Sequence, residues 1–389
     1  MKKNYVFLFF LFLFTKSFYA QVNLSVYSEV SIITAGPGTE LYEAFGHSAI
    51  RIKDPVLRLD LIYNYGMFDF NAPNFYSNFT KGNLLYRLGR YKFEYFLAGY
   101  KRDKRWVKQQ VLNLNQDEKQ AFFMYLENNV LPENASYSYD PYFNNCATKL
   151  RDITTTILGD KVNLSYKNLD RNRSFRQLMD KEIPWNTWGS FGINLALGSK
   201  LDQKADFTQY MYLPDYVHSI FNNSTLFIQN QPKKLIKRED VLLDFEELKQ
   251  KNSIFNPFLI FSIISLIGIF LTYYDFKNKK RSKWIDFIIL FTTGIVGVVI
   301  VFLWFFTDHS TTSNNFNFLW AFAPNLIIAF LILGQQHQKW LNYYFKFSLF
   351  LLIIIPILWI VKVQLFPIAV IPLLILLFTR YLFLSKRLN

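Results

Sequence analysis

The chain has 389 residues, 51% of them hydrophobic, with 42 Phe, 24 Tyr and a formal net charge of +14. That length accommodates one sizeable globular domain plus a further module, and the apolar residues are unevenly shared: residues 21–250 are mixed enough to fold in water, whereas long apolar runs dominate from Ile254 onward. In a soluble chain such a charge would point to nucleic acid, but much of it lies in short loops and tails beside apolar segments, where it orients helices and faces anionic lipid, so nucleic acid is not expected as a partner.

Lys2 and Lys3 precede nine apolar residues, Val6–Phe14, and Ser17-Phe18-Tyr19-Ala20 leads into Gln21. A run of nine is too short to cross a bilayer, so residues 1–20 are expected to be a signal peptide cut after Ala20. No cysteine lies near Ala20, so anchoring by the bacterial lipoprotein route is not expected.

Residues 21–230 read as one exported catalytic domain. Over 24–112, short and often alternating runs such as Ser48–Ile52 and Asp60–Asn64 are broken by glycine and proline, the pattern of half-buried strands. One helix is expected from the N-cap Asn115, with Glu118 three residues on, burying Phe122, Leu126 and Val130. A second starts around Asn145 and carries Leu150, Ile153 and Ile157 on one face. Strands followed by helices give an α+β domain. Residues 156–230, with Trp185, Trp188, Tyr210 and Tyr212, carry no assignable pattern, and 231–253 reads as a charged linker.

The remainder, 254–389, is expected to be an all-α transmembrane domain of five helices at about 255–274, 285–306, 318–334, 341–361 and 365–384. Lys277, Lys279, Lys280, Arg281 and Lys283 crowd the first loop, whereas Thr307–Phe316 contains no Lys or Arg. The positive-inside rule therefore places the first loop and the C-terminus in the cytoplasm and the 21–230 domain in the periplasm, with the chain in the bacterial inner membrane.

One cysteine exists, Cys146, so no intrachain disulfide forms. A lone cysteine is ordinarily a small buried hydrophobe; its place here argues otherwise. Asn144 and Asn145 are cap residues, which puts Cys146 on the first helical turn, where free N–H groups and the dipole stabilise a thiolate and a developing oxyanion. Of four histidines, His47 in Phe45-Gly46-His47-Ser48 starts a strand and shares a face with Ala49 and Arg51. On the next strand Asn64 or Asp60 is placed to hold its imidazole. Asn145 is a supporting candidate. Asp308 and His309, in the outward loop, are either solvated or an auxiliary site for a lipid head group or a substrate amine. There is no GxSxG, Walker loop, HExxH or paired-cysteine site, so neither a metal nor a cofactor is expected.

Phe45-Gly46-His47-Ser48, Tyr63-Asn64-Tyr65-Gly66-Met67-Phe68-Asp69-Phe70 and Asn144-Asn145-Cys146-Ala147-Thr148 with Arg151-Asp152 resemble the Lnb periplasmic domain, and the five-helix tail with Thr307-Asp308-His309 resembles the membrane half of the same family. The resemblance implies a circularly permuted papain-like fold of the NlpC and lecithin–retinol acyltransferase kind, with histidine ahead of cysteine. It also implies an apolipoprotein N-acyltransferase with Cys146 as nucleophile and His47 as base; the match does not fix the third member, for which Asn64 is the choice and Asp60 the alternative. On that reading the partners are a membrane phospholipid as acyl donor, a diacylglyceryl apolipoprotein as acceptor, and the lipid bilayer. The rival readings are a membrane-anchored cysteine hydrolase, acting on peptidoglycan or phospholipid, and a non-enzymatic envelope assembly factor.

Overall fold

A computed structural model describes residues 22–167, 169–170, 172–229, 231–248, 253–334 and 339–387; the expected signal peptide at 1–20 and His337 lie outside the described residues. In chain order come β1 (Glu29–Ala35), β2 (His47–Asp54), β3 (Leu59–Met67), α1 (Phe75–Lys81), β4 (Leu85–Lys92), α2 (Phe93–Arg102), β5 (Val107–Leu112), α3 (Gln116–Val130), β6 (Ser136–Ser138) and α4 (Cys146–Leu158). Then follow β7 (Val162–Asn163), α5 (Phe175–Glu182), α6 (Trp188–Ala196), α7 (Phe207–Tyr210), α8 (Pro214–Asn223), β8 (Thr225–Ile228), β9 (Gln231–Lys234) and β10 (Ile236–Leu243). The membrane half contains α9 (Pro257–Lys277), α10 (Lys283–Phe305), α11 (Asn325–Leu331), α12 (Trp340–Ile360) and α13 (Ile371–Arg387).

Alternation along the strands decides the layers. The main sheet has the order β10-β5-β1-β2-β3-β4-β6 and is antiparallel throughout. Ile50 and Ile52 of β2 pack with Phe122, Leu126, Leu150 and Ile153, the inward faces of α3 and α4. Ala49 joins Ile33, Phe93 and Phe96 on the opposite face, under α2. Successive side chains of a strand point to opposite faces, so one strand feeds both cores. Both expected helices form with capping boxes, Asn115 with Glu118 and Asn145 with Thr148. The α+β reading of this half holds.

The charged linker expected over 231–253 is largely not a linker. Residues 231–234 pair with β8, and β10 pairs with β5 as an outer strand of the main sheet. Its charges belong to an edge: Arg238 bridges Glu29 at 3.0 Å and Asp240 at 2.9 Å. Charged side chains are how edge strands resist further pairing, which gives them the look of a solvated tether. The unassigned 156–230 segment forms α5 to α8 around buried Arg176, whose guanidinium meets Asp202 at 3.0 Å, Asn194 at 2.6 Å, and the Leu197 and Gly198 carbonyls.

Among the described residues, four helices are long and apolar enough to cross a membrane: Pro257–Lys277, Lys283–Phe305, Trp340–Ile360 and Ile368–Arg387. The expected third span, 318–334, is not a continuous helix. It is a short 3-10 turn at Phe316–Leu319, a break at Ala321–Pro324, and the brief α11. Pro324 and buried Asn325 explain the break, and the neighbouring helix accommodates it. A Cβ on Gly297 of α10 would sit 2.0 Å from the Ala321 carbonyl oxygen, and one on Gly294 would sit 2.2 Å from the Leu326 nitrogen. Irregular backbone in an apolar bundle is tolerated where protein surrounds it. Asn325 donates to Thr293 Oγ1 at 2.9 Å and to the Tyr381 hydroxyl at 3.1 Å, and accepts from Tyr344.

The two halves are sewn together by polar contacts. Asn315 and Asn317 donate to the carbonyls of Leu195, Ala196 and Asn194; the Gly198 N–H donates to Thr311, and the Leu365 N–H to Asp202. Asp202, buried beside Arg176, has its carboxyl pushed up to about 6 by burial, partly offset by that guanidinium. The loop after α10 thus lies against the N-terminal domain.

Candidate active site

Gly46 sets the first member. Its φ of +70° turns the chain from the Leu41–Glu43 3-10 turn into β2, and a Cβ there would lie 2.8 Å from the Ala35 carbonyl. Only glycine enters that conformation without strain, and it delivers His47 as the first residue of β2, paired with Ala35. β3 runs alongside and presents Asn64. Cys146 is the first residue of α4, and that helix packs on β2 and β3.

Asn145 secures the helix end. Its Oδ1 accepts the N–H groups of Ala147 and Thr148, both at 2.9 Å, and its Nδ2 donates to the carbonyls of Pro141 at 2.7 Å and Tyr212 at 2.8 Å. With its amide fully engaged, Asn145 is the cap that positions Cys146 rather than a group free to hold substrate. The Cys146 N–H, first in the helix, has no intrahelical acceptor.

Asn64 Oδ1 lies 2.6 Å from His47 Nε2, while Asn64 Nδ2 donates to the Tyr91 hydroxyl at 2.9 Å. His47, raised toward its charged form, donates from both ring nitrogens, which sets Oδ1 as the acceptor and Nε2 as the donor and leaves the amide nitrogen for the Tyr91 hydroxyl. The other ring nitrogen, Nδ1, is left for the Cys146 sulfur, to which the ring is hydrogen-bonded. Asp60 is elsewhere: β3 pairs it with Lys53 at the opposite end of β2, and its carboxylate grips Arg51 at 2.7 Å. Of the two candidates for holding the imidazole, Asn64 is the one in contact.

The electrostatics favour a charged pair. Burial pushes the Cys146 thiol up, but the His47 charge, its hydrogen bond and the N–H groups of Ser48 and Ala147 outweigh it and hold the thiol below its ordinary value. Burial likewise presses His47 down, yet the Cys146 charge, that hydrogen bond and the bond to Asn64 raise it on balance, with Arg105 opposing. A thiolate beside an imidazolium is the form both shifts support.

Three features were not foreseen in the sequence. Tyr137, Tyr139 and Cys146 converge on Gly66, where a Cβ would be 3.9 Å from Cys146 Cβ, 3.9 Å from the Tyr137 hydroxyl and 3.5 Å from the Tyr139 ring. Burial, with the Cys146 charge added, raises both phenols well above their usual range, so they remain protonated. Asp140 shapes the turn before the nucleophile: its Oδ1 accepts the N–H groups of Tyr142 at 2.8 Å and Phe143 at 3.0 Å, and its Oδ2 accepts from Ser310 of the membrane half. Asp308 and His309 sit next to Ser310. The Asp308 N–H donates to the Lys81 carbonyl at 2.7 Å and the His309 ring meets Phe79 edge-on, so this loop contacts α1. A cleft of about 230 Å³ opens beside Asn64, lined by Tyr91, Tyr100, Arg105 and Glu43 among others. The alternation that finds strands carries no signal for the tyrosines or for a contact between distant halves.

No curated protein and no solved structure matches the chain. Family descriptions do: residues 14–188 match the Lnb N-terminal periplasmic domain and residues 249–387 the Lnb transmembrane domain. Together these cover most of the chain and both halves of the architecture, so this protein belongs to the Lnb family, with a periplasmic N-terminal domain followed by a transmembrane domain.

Proposed function

We propose that the chain is a lipoprotein N-acyltransferase of the bacterial inner membrane, with its C-terminus in the cytoplasm, that moves an acyl chain from a membrane phospholipid through a Cys146 thioester to the N-terminal amine of a diacylglyceryl apolipoprotein. The observation that carries this reading is buried Cys146, with half-buried His47 and Asn64 beside it, held against a membrane domain through Ser310 and Asp140. A periplasmic hydrolase of polymeric substrates has no need for that attachment. The arrangement also supports a permuted papain-like fold: a cysteine opening a helix against an antiparallel sheet whose strands bring histidine and then asparagine, with histidine earlier in the chain.

In the first half-reaction the thiolate attacks the carbonyl carbon of a phospholipid acyl ester. The Cys146 N–H, which has no intrahelical acceptor, is available to stabilise the oxyanion. The C–O bond breaks, the lysophospholipid oxygen takes the proton from His47, and a thioester remains. The neutral α-amine of the apolipoprotein then attacks that carbonyl, and His47 takes a proton from the nitrogen. The C–S bond breaks, and amide and thiolate result. Both substrates are held in one bilayer, which raises their effective concentration at the site.

The test is a strain lacking its own lipoprotein N-acylation that expresses wild type or Cys146→Ala. Mass spectrometry of N-terminal lipopeptides is expected to show a third acyl chain with wild type and two chains with the variant at equal abundance. Diacyl products from well-expressed wild type would overturn the reading.

A further inference from the structure

Between β3 and β4 the chain places Phe68, Phe70, Phe75, Tyr76 and Phe79 within a dozen residues. In a domain surrounded by water such a run would be buried, yet α1 has no buried residue; Tyr76 is 71% and Phe79 49% exposed. An exposed aromatic patch of this density marks a binding surface.

The rings are arranged in file. His309 meets Phe79 at 6.4 Å between centroids, Phe79 stacks on Phe75 at 6.2 Å, Phe75 on Phe68 at 6.0 Å, Phe68 lies against Tyr86 at 5.0 Å, and Tyr86 stacks on Tyr139 at 4.3 Å. Tyr139 and Cys146 both abut Gly66. One end of the file is therefore at the nucleophile. The other end is tied to the loop that closes α10 by the bond from the Asp308 N–H to the Lys81 carbonyl, just beyond exposed Phe305 and Phe306. Aromatic side chains are favoured at this level of a bilayer, and Lys81 adds a cation where head-group phosphates lie.

We infer that this aromatic file is the binding surface for the acyl chain of the glycerophospholipid donor, leading from the outer leaflet to Cys146. The inference rests on the acyl-transfer reading and identifies its donor path. A chain destined for the sulfur must start there and run away through apolar surface, and the file does both. The acceptor needs to bring only its amine to the thioester and can leave its own chains in the bilayer.

The experiment uses full-length Cys146→Ala protein in lipid nanodiscs containing a phosphatidylethanolamine with a diazirine near the end of one acyl chain. After irradiation, peptide mass spectrometry is expected to place label on residues 68–86 as well as on the membrane helices. Replacing Phe75 and Phe79 together by Ser should lower the 68–86 label at least fivefold and leave the α9 and α12 label unchanged. A parallel arm carries the diazirine on a diacylglyceryl lipopeptide. Label confined to α9–α13, or a 68–86 label from the lipopeptide and not from the phospholipid, would overturn the inference. Because Cys146→Ala performs no chemistry, this answer is independent of the reaction. Intact-mass detection of an acyl adduct on wild type tests the reaction separately: file labelling without an adduct would remove the transferase reading and keep the lipid site.

Discussion

His47 Nε2 and Asn64 Oδ1 stand 2.6 Å apart, and a charged His47, which donates from both ring nitrogens, turns that amide so that Oδ1 faces it and Nδ2 meets the Tyr91 hydroxyl. When the ring is neutral, Asn64 Oδ1 favours the proton on Nε2 and leaves Nδ1 to serve the sulfur.

Asn64→Ala is expected to lower turnover by about ten- to a hundredfold, a fraction of the 10²–10⁴-fold attributed to a positioned acid–base group. Asn64→Asp keeps the acceptor, adds a charge and raises His47 further. It should retain most activity and move the alkaline limb of the pH profile upward. N-terminal lipopeptide formation in detergent measures both, and an unchanged rate for Asn64→Ala would remove Asn64 from the site.

The raised His47 and lowered Cys146 define a pH window. As pH falls through the folded Cys146 value the thiolate is lost; as pH rises through the folded His47 value the imidazolium, needed to protonate the leaving oxygen, is lost. The iodoacetamide reaction of Cys146 should therefore have a midpoint below the ordinary thiol value of about 8.5. In His47→Ala the counter-charge is gone and burial dominates, so the midpoint should move above that value. A wild-type midpoint at or above the ordinary value would mean that the pair is not charged.

Much of this site was legible in the chain. Cys146 follows the cap Asn145 and His47 follows a glycine of positive φ, both local signals, whereas Asn144, read as a second cap, donates to the Ser138 carbonyl instead. Asn64 is the choice from sequence, but Asp60 stands beside it as an alternative because alternation gives a face and not a register; the pairing of Lys53 with Asp60 separates them. The 231–253 segment was misread because an edge strand solvated on one side has the composition of a linker, and the third membrane segment because hydropathy counts apolar residues without seeing that Gly294 and Gly297 admit a broken backbone. Asp140 and Ser310 are 170 positions apart, a contact that no pattern within one element encodes.

That contact makes its own prediction. Ser310→Ala deprives Asp140 Oδ2 of its donor while Oδ1 still holds Tyr142 and Phe143. A hydrogen bond to a charged group contributes about 1.5–3 kcal/mol, so turnover should fall roughly tenfold or more if that energy holds the nucleophile's turn. KM for the phospholipid should stay within about twofold, and Ser310→Thr should restore most of the rate. A merely structural role would instead lower the melting temperature and leave turnover per folded molecule intact.

Gly297→Ala tests the broken segment. Its methyl would stand 2.0 Å from the Ala321 carbonyl oxygen and 2.5 Å from the Ala323 nitrogen, both backbone atoms that cannot rotate away. Overpacking of this kind costs about 1–3 kcal/mol. Thermal unfolding in detergent should register that loss, while Gly192→Ala in α6, where nothing lies within 4 Å of the added methyl, should not.

At the far end of the bundle Arg380 joins three elements. Its Nε meets Asp286 at 2.6 Å and its Nη1 meets Asp275 at 2.8 Å, all three side chains essentially without exposure. Asp286 has a second partner in Arg281 at 2.8 Å, and Asp275 accepts from the Ser282 N–H at 2.9 Å and hydroxyl at 2.8 Å. Two cations and two anions balance, so replacing Arg380 by Met leaves one uncompensated carboxylate, a loss of about 3–5 kcal/mol for a buried pair broken on one side. Replacing Asp275 by Asn in the same protein removes that orphan charge and leaves Asp286 paired with Arg281. The double variant should therefore unfold at a higher temperature than Arg380→Met alone, despite carrying a second substitution in the bundle. If the two losses simply add, the cluster does not work as a charge-balanced unit, and its members hold α9, α10 and α13 together one contact at a time.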